Sequence, residues 1–318
     1  MRRLLPFLLL ALAACATDTT DDYTRVRTSE RGRYGEEAGT FSVGSIPDVI
    51  LRDDVRNRDV RLTIDYPINV TQAQPLILLA PEEGSTNRGY VGVAAYWTSF
   101  GYNVIRLAHG EAGDVTFVLN SLDRLERDYP ELAGKIDRAK IGLAGHAAGA
   151  LSAIRLGGTD PRIKAIVAMS PAGPGGASGL TNEAFAALRL PAMFLTGTRD
   201  VTETETLEWR QQAFQLAPAG DKWLVTLEGG GPMAFSGRAT PPPAHVDRRD
   251  EYDPFTGQRR VDPRSSRGQA LFIEERTTFH LVRSLTLGFW DLYLRGDAAG
   301  REYLTRADAR DDAVVQQR

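Results

Sequence analysis

The fold is decided by Ile141-Gly142-Leu143-Ala144-Gly145-His146-Ala147-Ala148-Gly149-Ala150. The first half of this stretch is apolar and predicts a buried strand, and the second half begins a helix that the pattern extends to Leu156. Gly145 and Gly149 bracket Ala147, and glycines at these positions allow the backbone to turn sharply. The stretch therefore predicts a strand–turn–helix unit that exposes the side chain of Ala147.

Strands and helices alternate on both sides of this unit. Apolar runs predict strands at 75–80, 103–107, 163–169, 192–196 and 223–227, and helical spacing predicts helices over 115–125 and 204–216. Upstream, 48–51 and 60–66 flank a polar turn and predict an N-terminal antiparallel hairpin. The alternation predicts an α/β fold, a mostly parallel twisted sheet flanked by helices on both faces.

Length and composition fit one globular domain, which we place at 41–297. The chain has 318 residues, 42% of them hydrophobic, so a full core is available. The formal net charge is −3 and no basic stripe stands out. We therefore expect no nucleic acid partner.

The N-terminus has the features of an export signal over 1–14. Arg2 and Arg3 precede an apolar run that ends before Cys15, the single cysteine of the chain. The run is shorter than the about 20 residues that span a bilayer. Leu12-Ala13-Ala14-Cys15 resembles a bacterial lipobox, in which the cysteine becomes lipidated. The resemblance implies a lipoprotein anchored through Cys15, and the alternative is a plain cleavable signal.

Polar segments flank the predicted domain. Residues 15–40 are polar and acidic and predict the lipidated cysteine followed by a flexible tether. No aspartate follows Cys15, which in lipoproteins implies the outer membrane, here at its periplasmic face. The tract 237–269 holds three consecutive prolines and alternating charges, and predicts a flexible excursion rather than a functional lid. Residues 298–318 are expected to form a C-terminal tail.

Four segments resemble the α/β-hydrolase superfamily. Gly145-His146-Ala147-Ala148-Gly149 resembles its Gly-His-Ser-x-Gly nucleophile elbow, with alanine in place of serine. Residues 113–119, 191–200 and 288–297 are similar to parts of dienelactone hydrolase-like proteins and bacterial relatives of platelet-activating-factor acetylhydrolase. The similarity covers nearly all of 41–297 and implies the α/β-hydrolase fold.

Two of the three triad positions that the resemblance implies fall on Ala147 and Asp200. A methyl group carries no lone pair, so Ala147 is inert at the nucleophile position. Asp200 retains the position of the catalytic acid. Thr202 and Glu205 form a capping-box pattern for the next helix, so Asp200 is not needed as its cap.

The base position departs from the family. The family carries a segment like Gly-x-x-His-x-x-Phe after the last strand, whereas this chain reads Gly229-Gly230-Gly231-Pro232-Met233-Ala234-Phe235. Pro232 stands where the histidine is expected, and proline cannot take up a proton. The implied triad is therefore degenerate at both the nucleophile and the base.

The oxyanion region is also altered. In the family, backbone N–H groups stabilise the oxyanion, one from the residue after the nucleophile, here Ala148, and one from the loop after an early parallel strand. That loop contains Pro81, Glu82 and Glu83 in this chain. Proline lacks an N–H, and carboxylates near a developing oxyanion oppose it electrostatically.

Other polar residues were weighed as replacements. His109 and His146 are expected to line the pocket, His245 to lie in a solvated loop, and His280 to lie opposite the apolar stripe of its helix. Ser170 is the hydroxyl nearest the predicted site, although a turn residue before a proline is the simpler interpretation. Glu82, Glu83, Asp200, His109 and His146 share one predicted crevice, which leaves a metal site open as a weak hypothesis without a known ligand motif.

These features favour a lipid-anchored pseudohydrolase without a cofactor. It would bind a small ester-like ligand or an envelope protein. The alternative is a carboxylic ester hydrolase that acts by a non-standard mechanism, such as water activated by a carboxylate. A third hypothesis is a structural envelope protein with a relic pocket.

Overall fold

A computed structural model describes residues 33–86, 89–175, 179–237, 266–306 and 312–318, with the backbone alone over 266–276. The signal peptide, Cys15 and the start of the predicted tether lie outside these ranges. Most of the polar excursion, including His245, also lies outside them.

Nine strands of the described chain form one mixed sheet in the order β1-β2-β4-β3-β5-β6-β7-β8-β9. The pairs from β4 through β8 are parallel, and β1–β2, β2–β4 and β8–β9 are antiparallel. The sheet is mostly parallel, which confirms the predicted α/β class. The strands are β1 (Val43–Asp53), β2 (Arg58–Pro67), β3 (Gln74–Ala80), β4 (Asn103–Leu107), β5 (Ile136–His146), β6 (Ile163–Met169), β7 (Ala192–Gly197), β8 (Lys222–Leu227) and β9 (Ala313–Gln317).

Helices connect most of the parallel strands. They are α1 (Val91–Ser99), α2 (Ala112–Asn120), α3 (Leu122–Asp128), α4 (Ala148–Gly157), α5 (Asn182–Ala186), α6 (Leu207–Leu216), α7 (Ser266–Trp290) and α8 (Ala298–Arg306). A π-turn over Asp291–Arg295 joins α7 to α8, and a short 3-10 helix, Pro232–Phe235, follows β8.

The sheet separates two hydrophobic cores. Leu76 and Leu78 of β3 belong to one core, and Ile77 and Leu79 belong to the other. Side chains of a strand alternate between faces, so a continuous apolar strand packs against both helical layers at once. This double burial fixes the central strands and therefore the loops at their carboxyl ends.

The carboxyl ends of β5, β6 and β7 meet at one edge. His146 is in register with Met169, and Met169 is in register with Leu195. The residues that follow these strands include Ala147 and Ser170, and they lie at the edge where open α/β sheets bind ligands.

Two helices differ from the sequence prediction. Helix α1 was not predicted, and it follows Tyr90, whose φ of 60° places it in the left-handed region. Helix α6 begins at Leu207, with the side chain of Thr206 accepting a hydrogen bond from the N–H of Trp209. The Thr202 pattern predicted as a cap instead closes a turn before the helix, because its Oγ1 accepts from the N–H of Glu205.

The predicted tether and tail are partly folded. Residues 33–40 contact the domain, since Arg33 forms a double hydrogen bond with Asp291 and the ring of Tyr34 stacks on Tyr303. The region predicted as a C-terminal tail contains α8 and β9, and β9 extends the sheet beside β8. His280 was predicted opposite the apolar stripe, but it is buried because α7 is covered on several sides near its end.

Candidate functional site

Ala147 occupies a strained turn between β5 and α4. Its φ of 49° and ψ of −112° are unfavourable for any residue with a Cβ, at a cost of about 1–3 kcal/mol. The flanking glycines are required by contact: a Cβ on Gly145 would lie 2.1 Å from the oxygen of Gly149, and one on Gly149 would lie 2.1 Å from the oxygen of Ala80. The backbone is therefore held in the geometry of a nucleophile elbow.

The elbow opens to solvent without a reactive group at its centre. Ala147 is half-buried and Ala148, the first residue of α4, is exposed. The first N–H groups of a helix have no acceptor within the helix and point outward. The turn thus presents a methyl group and backbone donors, and it has no side chain that can attack a carbonyl.

Asp200, at the acid position, is buried with 2% of its surface exposed. The hydroxyl of Ser170, at the end of β6, donates a hydrogen bond to Oδ2 of this carboxylate. Burial raises the pKa of Asp200 from its ordinary value, whereas Arg210 and the Ser170 hydrogen bond act in the opposite direction. The partners of the acid are therefore a serine and an arginine rather than a histidine.

Arg210 of α6 joins the loops that follow β6 and β7. Its Nε donates to the backbone oxygen of Asp200 at 2.6 Å, and its Nη1 donates to Oγ of Ser170 at 3.0 Å. Its Nη2 donates to Glu205 at 2.8 Å and lies 3.5 Å from Oδ1 of Asp200. The guanidinium is almost fully buried, so these contacts replace its hydration.

His146, the residue before the elbow, is also buried. Its Nδ1 lies 2.7 Å from the hydroxyl of Tyr90, and that hydroxyl accepts a hydrogen bond from the N–H of Glu82 at 3.2 Å. Burial and the charge of Arg210 lower the pKa of His146 to about 3. The imidazole is therefore neutral near pH 7, and the tautomer with an acceptor at Nδ1 suits the Tyr90 hydroxyl.

The predicted oxyanion loop offers fewer donors than the family pattern. Pro81 has no N–H, and the N–H of Glu82 is directed to Tyr90. The carboxylate of Glu82 lies 3.9 Å from Nδ1 of His146 and also raises the pKa of Asp200. A negative charge beside the elbow opposes an oxyanion there.

Pro232 is half-buried at the start of the 3-10 helix after β8. In the same turn Phe235 is buried, and its ring centroid lies 5.3 Å from that of His146. The position predicted for the base thus lies in a turn that packs against the histidine of the elbow.

The structure brings together some of the predicted site residues and separates others. Glu82, His146, Ser170 and Asp200 are linked by direct contacts or by their charges. Glu83 and His109 are exposed. Within the described ranges, no group of three or more histidine, cysteine or acidic residues could hold a metal ion, which contradicts the metal hypothesis.

Three residues of the site were not predicted from sequence: Tyr90, Arg210 and Phe235. Arg210 could have been found, because Ala213 and Phe214 follow it at helical spacing and both are buried. An arginine on an apolar stripe indicates a buried partner. Tyr90 and Phe235 belong to irregular turns whose contacts depend on the folded chain.

A comparison with protein-family models found no match for this chain, and a search of curated proteins found none either. None of the helices in the described part of the chain is long and apolar enough to cross a membrane.

Proposed function

We propose that this chain is an α/β-hydrolase-fold protein without serine-hydrolase catalysis, and that it binds a small ester-like ligand or a partner protein at the cell envelope. The observation that carries this proposal is Ala147 at φ 49° and ψ −112°. The strained elbow is kept by two glycines that tolerate no Cβ, yet it holds a methyl group. Nucleophilic catalysis from this position is chemically impossible.

The remaining triad positions support the same proposal. Asp200 contacts Ser170 and Arg210, and Pro232 occupies the place of the base. Loss of the base and re-use of the acid are independent of the loss of the nucleophile. A single restored serine would therefore not rebuild the reaction.

The surroundings of the elbow favour binding of an uncharged group. Tyr90 and Phe235 flank the neutral imidazole of His146, with centroid distances of 5.9 and 5.3 Å. Val91 and Met233, which are sequence neighbours of this aromatic cluster, are 54% and 37% exposed. Aromatic walls with few polar groups are typical of small-molecule sites.

Binding is tested with Ala147→Leu, which places a larger side chain at the centre of the elbow. A panel of short-chain esters and their amide analogues is titrated into the protein and followed by NMR chemical-shift changes. We expect shifts at Ala148 and Phe235 that disappear in Ala147→Leu but persist in Ala139→Leu, a change at an exposed alanine of β5. Equal binding by both variants would contradict a ligand site at the elbow.

The second candidate is an ester hydrolase with a non-standard mechanism. The contact of the Ser170 hydroxyl with the Asp200 carboxylate favours it, because a carboxylate can accept a proton from a serine. Against it, Ser170 is 3% exposed and its Oγ also accepts from Arg210, which lowers its nucleophilicity. Turnover abolished by Ser170→Ala would establish this candidate.

The envelope location is supported by the lipobox-like sequence that ends at Cys15. Lipidation adds about 0.8 kcal/mol for each buried methylene, so several acyl chains anchor a protein stably. Labelling of cells with an alkyne-bearing fatty acid tests it: the label is expected on the natural chain and absent from Cys15→Ser. Label on both chains would contradict lipidation at this residue.

A further inference from the structure

The carboxylate of Asp200 is engaged on both of its oxygens. Oδ2 accepts from the hydroxyl of Ser170, and Oδ1 lies 3.5 Å from Nη2 of Arg210. A triad acid must instead present an oxygen to the N–H of a histidine. The position of the absent histidine lies after β8, whereas the actual partners come from β6 and α6.

The guanidinium of Arg210 is engaged through all three of its nitrogens. Its Nε and Nη1 donate to the backbone oxygens of Asp200 and Ser170, at 2.6 and 3.3 Å. Its Nη2 reaches Glu205, which lies between Asp200 and the start of α6. Five donors in a planar fork make arginine suited to such a junction, and its charge is permanent.

We propose that Arg210 has taken the place of the missing histidine as the partner of Asp200, so that the retained acid is a fixed salt-bridge partner and is withdrawn from any base. The inference rests on the proposed function, because it explains why an acid persists in a site without a nucleophile. Arg210 is a positioning residue, and it directs the Asp200 carboxylate toward Ser170.

The electrostatic argument is one of competition. A buried carboxylate between a permanent cation and a hydroxyl gains little from a second, titratable cation. When the guanidinium is removed, the same carboxylate becomes an uncompensated buried charge, and a nearby imidazole would be protonated to neutralise it. The pKa of an imidazole placed at position 232 therefore reports which partner Asp200 prefers.

The test compares the full-length variant Pro232→His with the double variant Pro232→His, Arg210→Gln. The pKa of the introduced imidazole is measured by NMR, with its signal assigned by difference from the natural protein. We expect an ordinary value of about 6.5 with Arg210 present and a rise of about one unit or more without it. Equal values in the two backgrounds would overturn the proposal.

Two controls separate this effect from a general loss of structure. Arg199→Gln removes an exposed arginine next to Asp200 and should leave the imidazole pKa unchanged. Arg210→Lys keeps the charge without the planar fork and should leave most of the effect in place. A rise in Arg199→Gln equal to that in Arg210→Gln would also contradict the proposal.

A double-mutant cycle supplies a readout that is independent of the introduced histidine. The thermal midpoints of Asp200→Asn, Arg210→Gln and the double variant are compared with that of the natural protein. Coupled partners give a double variant that loses clearly less than the sum of the two single losses. Additive losses would overturn the proposal. Ester turnover by the natural protein would sink the proposed function while leaving this coupling intact.

Discussion

The hydroxyl of Ser170 donates a hydrogen bond to the carboxylate of Asp200 across 30 positions of the chain. The bond joins the ends of the neighbouring strands β6 and β7, and Ser170 has a φ of 49°. A non-glycine residue in this region is strained unless its surroundings hold it there. The contacts of Arg210 with both residues supply that restraint.

Removing the Ser170 hydroxyl is expected to destabilise the fold. Ser170→Ala deletes a donor to Asp200 and an acceptor for Arg210, and should lower the free energy of unfolding by about 1–3 kcal/mol. Urea denaturation measures the difference. Ser152→Ala, at a buried serine within α4, is the matched control and should change it by less than about 0.5 kcal/mol. Equal effects would mean that the hydroxyl contacts carry no stability.

His146 should make stability fall in mild acid. Its pKa is about 3 in the folded protein against an ordinary 6.5, so the unfolded chain binds a proton between these values and the folded protein does not. Its contribution is complete above pH 6.5 and is lost as pH falls toward 3, with a slope of at most about 1.4 kcal/mol per pH unit.

The variant His146→Phe isolates this contribution. The pH dependence of unfolding between 6.5 and 3 should be shallower in His146→Phe than in the natural protein, and unchanged in His109→Gln, which alters an exposed histidine. The raised pKa of Asp200 acts with the opposite sign, so the difference between variants is the informative quantity. Parallel curves for the natural protein and His146→Phe would contradict a neutral buried imidazole.

The strain at Ala147 predicts a stabilising substitution. Glycine adopts positive φ without a Cβ clash, so Ala147→Gly should raise the free energy of unfolding by about 0.5–1 kcal/mol after its entropic cost. Ala150→Gly in the adjoining helix should lower it by about 1 kcal/mol. Thermal melts of both variants decide the matter. Destabilisation by both glycines would show that the elbow is unstrained.

The contact between Arg33 and Asp291 predicts that the segment before β1 stabilises the domain. Asp291 is fully buried, and Arg33 donates to both of its oxygens at 2.6 and 2.8 Å. Arg33→Ala should cost about 2 kcal/mol in denaturation experiments, since it leaves a buried carboxylate with a weaker set of partners. Arg306→Ala, at an exposed ion pair, should cost less than about 0.5 kcal/mol. A similar small cost for both would assign Arg33 no such role.

Local patterns predicted the central sheet well, because parallel strands buried on both faces are recorded as apolar runs. Residues 163–169 and 192–196 illustrate this, since β6 and β7 fall there. Helix α1 escaped prediction because most of its residues are buried, so it has no polar face to set a period. Strand β9 escaped because five residues gain strand structure only by pairing with β8.

The candidate site was predicted where chemistry lies in the residue type itself. Ala147 cannot be a nucleophile and Pro232 cannot be a base in any conformation. The partnership of Asp200 with Ser170 and Arg210 could not be predicted, because it depends on which loops the parallel register brings together. Periodicity ranks arginine as a surface residue and so gave no reason to place it beside the acid.

The most direct test of the account is ester hydrolysis by the purified natural protein against a panel of short p-nitrophenyl esters, beside a heat-denatured sample and the variant Asp200→Ala. The account predicts the same background rate in all three, because the elbow holds Ala147 and the acid is paired with Arg210. Turnover by the natural protein well above the denatured sample, and lost in Asp200→Ala, would contradict the pseudohydrolase proposal.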